Sequence, residues 1–126
     1  MKKPLVLVAD DEPMIGFDLE MTLSEAGFTV ALAFSSEEAQ RWLDDNRPDV
    51  AVLDVRLKDG ECIPLVEILI ALGVPFVVHT GSLEEDLDKA FERGKFISKP
   101  ADPETIVDIV RSLINPDAES RSVRSG

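Results

Sequence analysis

The sequence predicts an α/β fold of the doubly wound kind, in which a five-stranded parallel sheet carries helices on both faces. Short apolar runs alternate along the chain with segments whose apolar residues recur at helical spacing. Several of these runs are unbroken, which is typical of strands covered on both faces. Crossovers between parallel strands are right-handed, so every strand is expected to end at the same edge of the sheet.

Two βα units account for the first part of the chain. Leu5–Ala9 is a continuous apolar run, and a helix predicted over Pro13–Gly27 ends at its glycine. Phe28–Ala33 predicts the second strand. Either serine of Ser35-Ser36 can cap the second helix, and a glutamate follows three residues after the first of them, as in a capping box.

The middle of the chain continues the alternation. Val50–Leu53 predicts the third strand, and a polar loop over Val55–Gly60 leads to a helix predicted over Glu61–Leu72. That helix is apolar almost all round, which fits either deep burial or an exposed surface for self-association. Val74–Val78 predicts the fourth strand.

A fourth helix, a fifth strand and a fifth helix complete the predicted domain, residues 1–114. The strand is expected over Lys95–Ser98, and the last helix from Asp102 to Ile114, with proline in its first turn. Residues 115–126 are expected to form a flexible polar tail. The fourth helix is predicted from residues at positions i, i+4, i+7 and i+8, namely Leu83, Leu87, Ala90 and Phe91.

Composition excludes several classes of protein. The chain of 126 residues has room for one domain and carries a formal net charge of −12. This charge argues against binding to nucleic acid or to anionic lipid, both of which require a basic surface. The single cysteine, Cys62, cannot form an internal disulfide, and no apolar stretch is long enough for a transmembrane helix or a signal peptide. A soluble cytoplasmic protein is therefore expected.

Polar residues follow four of the predicted strands, in the segments Asp10-Asp11-Glu12, Asp54, His79-Thr80-Gly81 and Lys99-Pro100. Ligands of open α/β sheets bind just outside the carboxyl ends of the strands. Three aspartates that meet there would repel one another, and a divalent ion with a preference for oxygen ligands, such as Mg²⁺, would relieve the repulsion. A carboxylate beside such an ion can attack a phosphoryl group, while a lysine and a hydroxyl neutralise the phosphoryl oxygens.

The chain resembles the receiver domain of response regulators in two-component signalling, and specifically the single-domain type. The resemblance covers roughly residues 4–114 and rests on the segments Ala9–Glu12, Val52–Leu57, Thr80-Gly81 and Lys99-Pro100. It implies a flavodoxin-like sheet with strand order 2-1-3-4-5. It also implies a phosphoacceptor signalling domain rather than an enzyme with turnover, because the domain catalyses only its own phosphorylation and dephosphorylation.

The resemblance assigns roles to particular residues. Asp54 would accept the phosphoryl group from a histidine kinase or a histidine phosphotransfer protein. Mg²⁺ would be bound by Asp11, by Asp54 and by the backbone carbonyl of Arg56, and Asp10 would act through a bound water. The residues expected to contact the phosphoryl group or to report its presence are Thr80, Gly81, Lys99 and Phe96. A downstream protein would bind the face formed by the fourth helix, the fifth strand and the fifth helix.

Three features differ from the common receiver pattern: the loop after Asp54 is short and lacks proline, glycine follows Thr80, and the aromatic Phe96 has no hydroxyl. The main alternative is a receiver-like module that binds proteins without phosphorylation, and the complete acid set together with Lys99 argues against it. A phosphate-ester hydrolase is disfavoured because Arg56 stands where such enzymes carry a second aspartate. A flavin site is weaker still, since no Ser/Thr-rich loop follows the first strand. His79 and Cys62 are interpreted as packed residues, and the isomer of the Lys99-Pro100 bond stays open.

Overall fold

Five parallel strands form one sheet in a computed structural model, which describes residues 3–57 and 60–114. The sheet order is β2-β1-β3-β4-β5, and every neighbouring pair is parallel. The doubly wound fold and the strand order 2-1-3-4-5 are thereby confirmed. The expected polar tail, residues 115–126, lies outside the described residues. The strands are β1 Leu5–Ala9, β2 Thr29–Ala33, β3 Val50–Leu53, β4 Phe76–Thr80 and β5 Lys95–Ser98.

Two separate apolar cores cover the two faces of the sheet, because successive side chains of a strand point to opposite faces. On β1, Val6 and Val8 belong to the core beneath α1 and α4, whereas Leu7 and Ala9 belong to the core beneath α2 and α3. Each of these four side chains is fully buried. The helices are α1 Pro13–Glu25, α2 Ser36–Leu43, α3 Ile63–Leu72 and α4 Pro103–Ile114.

Local signals in the sequence set the ends of these helices. The Ser35 hydroxyl accepts a hydrogen bond from the backbone N–H of Glu38 at 3.1 Å, as a helix cap should. The Glu38 carboxylate accepts from the N–H of Phe34 rather than from that of Ser35. Gly73 ends α3 in the left-handed region, at φ 72°. The apolar character of α3 is explained by burial, since Leu65 and Leu69 are fully buried in the core.

The prediction of a fourth α-helix is wrong. Two short 3₁₀ segments, Glu84–Asp86 and Lys89–Arg93, occupy its place. Leu87 and Asp88 between them are extended, with ψ near 150°, and the Asp88 carboxylate accepts from the N–H of Ala90 at 2.9 Å. This local hydrogen bond starts a new turn and competes with a continuous helix.

Several boundaries also differ from the prediction. The helix α3 begins at Ile63 rather than Glu61, because Gly60–Glu61 pairs antiparallel with Arg56–Leu57 inside the expected loop. The strand β4 includes His79 and Thr80, which were expected to follow it. Within the described ranges, no helix combines the length and the hydropathy needed to cross a membrane.

Candidate functional site

Backbone hydrogen bonds hold the strand ends together at the carboxyl edge of the sheet. The N–H of Asp54 donates to the carbonyl of Ala9 at 2.9 Å, which ties the end of β3 to the end of β1. The N–H of Lys99 donates to the carbonyl of Thr80 at 2.8 Å, which ties the residue after β5 to the end of β4. Side chains from distant parts of the sequence therefore start from fixed, neighbouring positions.

The ammonium group of Lys99 lies among three carboxylates. Its Nζ is 2.9 Å from Asp54 Oδ2, 3.2 Å from Glu12 Oε1 and 3.3 Å from Asp10 Oδ2. Carboxylate oxygens of the three acids also lie within 4.8 Å of one another. The peptide bond that follows, Lys99-Pro100, is cis. The structure thus joins the ends of β1, β3 and β5 in one polar cluster.

Burial and charge act in opposite directions on these groups. Burial raises the pKa of Asp10 above its ordinary value, while its hydrogen bond from the Glu12 N–H and the charge of Lys99 oppose that rise. Burial by itself would lower the pKa of Lys99, but the hydrogen bond and the charge of Asp54, with the charge of Asp10, outweigh it and raise the pKa. The ammonium group is therefore charged at every physiological pH and offsets part of the acidic charge.

The donor set of this cluster fits Mg²⁺. Asp10, Glu12 and Asp54 offer hard carboxylate oxygens, and Mg²⁺ prefers such ligands while it keeps several waters. The cluster combines two buried acids with one exposed acid, Glu12, on the solvent side.

Of the residues that the sequence predicted as metal ligands, the structure brings Asp10 and Asp54 together. Asp11 is half-buried in the same loop and is not one of the three clustered acids. Arg56 lies two residues after Asp54, in the short antiparallel ladder, with its side chain exposed.

Sequence reasoning missed Glu12 as a site residue. The Asp10 carboxylate accepts a hydrogen bond from the N–H of Glu12 at 2.9 Å and so forms a local turn. In this turn the Glu12 carboxylate accepts a hydrogen bond from Lys99. The only signal in the sequence is that Glu12 is the third acid after the first strand.

The other predicted residues lie on β4 and β5 or directly after β4. Thr80 is buried, and its hydroxyl accepts from the N–H of Ser82 at 3.2 Å. Gly81 is exposed, with open space where a side chain would be. Phe96 is half-buried and packs against the core beneath α2 and α3. The Cys62 thiol, which is buried, donates to the backbone carbonyl of Asp54 at 3.2 Å.

His79, the residue before Thr80 on β4, lies near Lys99 on the face of the sheet that α1 covers, where it lines a pocket with Ile15 and Leu19. Only 4% of it is exposed, and neither ring nitrogen has a hydrogen-bond partner within the described part of the chain. Burial lowers the pKa of His79 and the charge of Lys99 lowers it further, so the imidazole is neutral.

Comparison with known proteins connects this geometry to a family. A family model described as "Response regulator receiver domain" matches residues 6–111. The transcriptional regulatory protein PrrA of Mycobacterium tuberculosis is 34% identical over 116 residues, which cover 88% of this chain and 50% of that protein. The DNA-binding response regulator MtrA of Mycolicibacterium smegmatis is 31% identical over 113 residues, with coverage of 86% and 50%. The chain thus spans about half the length of these curated relatives.

Solved structures agree with the fold. The receiver domain of the PhyR response regulator from Erythrobacter litoralis has a TM-score of 0.79 and 28% identity, and the match covers 90% of this chain and 92% of that one. A CheY-like receiver domain protein from Methanospirillum hungatei has a TM-score of 0.84 at 18% identity, with coverage of 94% and 99%. The latter match concerns the fold alone.

Proposed function

Because the chain belongs to the response regulator receiver domain family, we propose that it is a cytoplasmic phosphoacceptor whose Asp54 takes a phosphoryl group in a Mg²⁺-dependent reaction. Receiver domains are signalling domains rather than enzymes with turnover. The observation that carries the proposal is the contact of 2.9 Å between Asp54 and Lys99, beside two further carboxylates. This arrangement offers a nucleophile, a metal site and a cation for a phosphoryl oxygen within one cluster.

The donor in this proposal is a phosphohistidine of a histidine kinase or a histidine phosphotransfer protein. An oxygen of Asp54 attacks the phosphorus, the P–N bond breaks, and its electron pair returns to the imidazole nitrogen. The product is an acyl phosphate on Asp54. Bound Mg²⁺ supplies positive charge for the phosphoryl oxygens. Lys99 already lies at hydrogen-bond distance from the attacking carboxylate, so it moves little to pair with a phosphoryl oxygen.

The proposed metal ligands are Asp11, Asp54 and the backbone carbonyl of Arg56, with Asp10 acting through water. Glu12 joins the site by its contact with Lys99. Mg²⁺ held by these oxygens would share the carboxylates with the ammonium group of Lys99 and would leave Lys99 free to pair with a nearby phosphoryl oxygen.

Phosphorylation becomes a signal if some contacts form only in that state. The Thr80 hydroxyl, which is bonded to the N–H of Ser82 in this structure, would instead contact the phosphoryl group. The exposed backbone of Gly81 offers an N–H donor nearby, because no side chain blocks the approach. In this proposal Phe96 follows the movement of Thr80, and hydrolysis of the acyl phosphate resets the domain.

The donor protein must place its histidine next to Asp54, and an exposed apolar stripe lies beside that edge of the sheet. Met14, Phe17 and Met21 on α1 are 82%, 53% and 57% exposed, and their spacing places them on one side of the helix. The helix begins directly after Glu12. We assign this stripe to the phosphoryl donor, and the face formed by the two 3₁₀ segments, β5 and α4 to a downstream protein.

Intact-mass spectrometry after incubation with Mg²⁺ and acetyl phosphate tests the proposal. The wild-type protein should gain the mass of one phosphoryl group, and Asp54→Ala should gain none. The matched control is Asp45→Ala, an exposed aspartate beyond α2, which should be modified like the wild type. An unmodified wild-type protein, or equal modification of Asp54→Ala, would contradict the proposal. Binding of a partner equally well by wild type and Asp54→Ala would favour the module that acts without phosphorylation.

A further inference from the structure

A small apolar cavity lies between the sheet and the two 3₁₀ segments that replace the predicted fourth helix. Its volume is about 240 Å³, and its apolar wall is formed by Val78, Leu87, Phe91 and Phe96. This volume is below the roughly 300–1,000 Å³ of typical small-molecule sites, which favours a single large side chain over a complete ligand.

The break in the segment keeps this cavity accessible. Leu87 and Asp88 are extended, so the chain turns away between the two 3₁₀ segments instead of continuing as one helix. Leu83, which the helical pattern expects on the inner face, is 63% exposed. Phe96 remains only half-buried. Of the four wall residues, Leu87 and Phe96 are half-buried and can contact an incoming group, whereas Val78 and Phe91 form the buried floor.

Acidic side chains surround the opening. The rim of the cavity carries Glu84, Glu85, Asp88 and Glu92, which are all exposed. Among residues 3–57 and 60–114, none of these four carboxylates takes part in a salt bridge. The whole segment 84–93 holds five acidic side chains against two basic ones. An apolar wall with an acidic rim complements a group that is apolar at its tip and basic at its flanks.

We propose that this cavity is a docking site for a basic, amphipathic segment of a partner protein, which inserts one large apolar side chain and places lysines or arginines on the rim. The net charge of −12 steers a cationic partner toward the domain. The same charge disfavours a second copy of this chain, a nucleic acid or an anionic membrane as the occupant. The inference rests on the proposed function, in which a downstream protein binds the side of the domain that carries the 3₁₀ segments and β5.

The site also has a physical route to the phosphoacceptor. Phe96, which forms part of the wall, lies on β5 three residues before Lys99. Val78, also in the wall, lies two residues before Thr80 on β4 and pairs with Phe96 across the two strands. The cavity and the phosphoacceptor cluster therefore share the strands β4 and β5.

A peptide titration tests the docking site without any phosphoryl donor. The probe is a fluorescein-labelled peptide of lysines and alanines with one central leucine, followed by fluorescence anisotropy and by amide NMR shifts. The wild-type protein should bind it, with the largest shifts over residues 84–96. Replacement of the leucine by alanine should weaken binding about tenfold, because the buried apolar contact is lost.

Charge reversal identifies where the probe binds. Glu84→Lys with Glu85→Lys should weaken binding about tenfold or more, since two attractions become repulsions. The matched control, Asp44→Lys with Asp45→Lys, makes the same charge change beyond α2 and should stay within about twofold of wild type. Equal loss in the two double variants, no effect of the leucine, or no binding would overturn the inference. Because Mg²⁺ and phosphoryl donor are absent, this result is independent of whether Asp54 can be phosphorylated.

Discussion

Replacement of Lys99 by methionine removes the positive charge that lies among three acids and keeps the approximate length of the side chain. At an effective dielectric constant of about 20, a pair at the observed 2.9 Å attracts by roughly 6 kcal/mol, and desolvation offsets part of this gain. Loss of one partner from a buried ion pair costs about 3–5 kcal/mol. Only 15% of the Lys99 side chain and 10% of the Asp54 side chain are exposed. We therefore expect Lys99→Met to lower the free energy of unfolding by about 3 kcal/mol at neutral pH.

Mg²⁺ should reverse much of this loss, because the ion supplies positive charge to the same carboxylates. In the wild-type protein Mg²⁺ competes with the ammonium group, so its stabilising effect should be smaller than in Lys99→Met. Urea unfolding with and without millimolar Mg²⁺ measures both effects. The matched control is Lys95→Met, which removes an exposed lysine at the other end of β5. Wild-type stability in Lys99→Met, or equal gains from Mg²⁺ in both proteins, would refute the reasoning.

Three further predictions concern burial, packing and helix capping, and each is measured by urea unfolding. Burial lowers the pKa of His79 in the folded protein, so on acidification the histidine of the unfolded chain is protonated first. The free energy of unfolding should therefore fall as the pH drops below 6.5, by up to about 1.4 kcal/mol per pH unit. His79→Leu should reduce this acid-side loss, and an unchanged pH profile would contradict the assignment. Gly94→Ala should cost about 1–3 kcal/mol, because a Cβ there would clash with the ring of Phe76, whereas Gly81→Ala, with open space, should cost little. Ser35→Ala should cost about 1 kcal/mol through loss of the helix cap, and equal stability would show that the cap is unimportant.

The sequence predicts the five strands because they are short apolar runs separated by polar or helical segments, although β4 extends beyond its apolar run to Thr80. It fails at residues 83–93, where the apolar spacing is helical but the structure is not. Asp88 bonds to the N–H of Ala90 and starts a new turn there, and the sequence pattern does not show which of two local hydrogen-bonding schemes prevails. The helical spacing of apolar residues predicts that Leu83 is buried, whereas in the structure it is 63% exposed.

The residues of the site, like the elements of the fold, can be predicted from the sequence only in part. Asp10, Asp54 and Lys99 each follow a strand of the parallel sheet, and the topology brings the ends of these strands to one edge. The convergence of the three side chains can therefore be predicted from the sequence. Whether Asp11 or Glu12 faces the cluster depends on the turn after β1, where the Asp10 carboxylate binds the N–H of Glu12. Neighbouring acids in a loop have the same chemistry, so composition cannot distinguish them, and only the backbone path does.

Amide NMR during titration with Mg²⁺ and then with beryllofluoride, a mimic of the phosphoryl group, tests the central claim most directly. The account predicts that Mg²⁺ shifts the amides around residues 10–12 and 54–56. The mimic should then shift those of Thr80, Gly81 and Lys99, and Asp54→Ala should show no response to the mimic. Shifts elsewhere in the domain, or the same response in Asp54→Ala, would contradict the assignment of this cluster as the phosphoacceptor site.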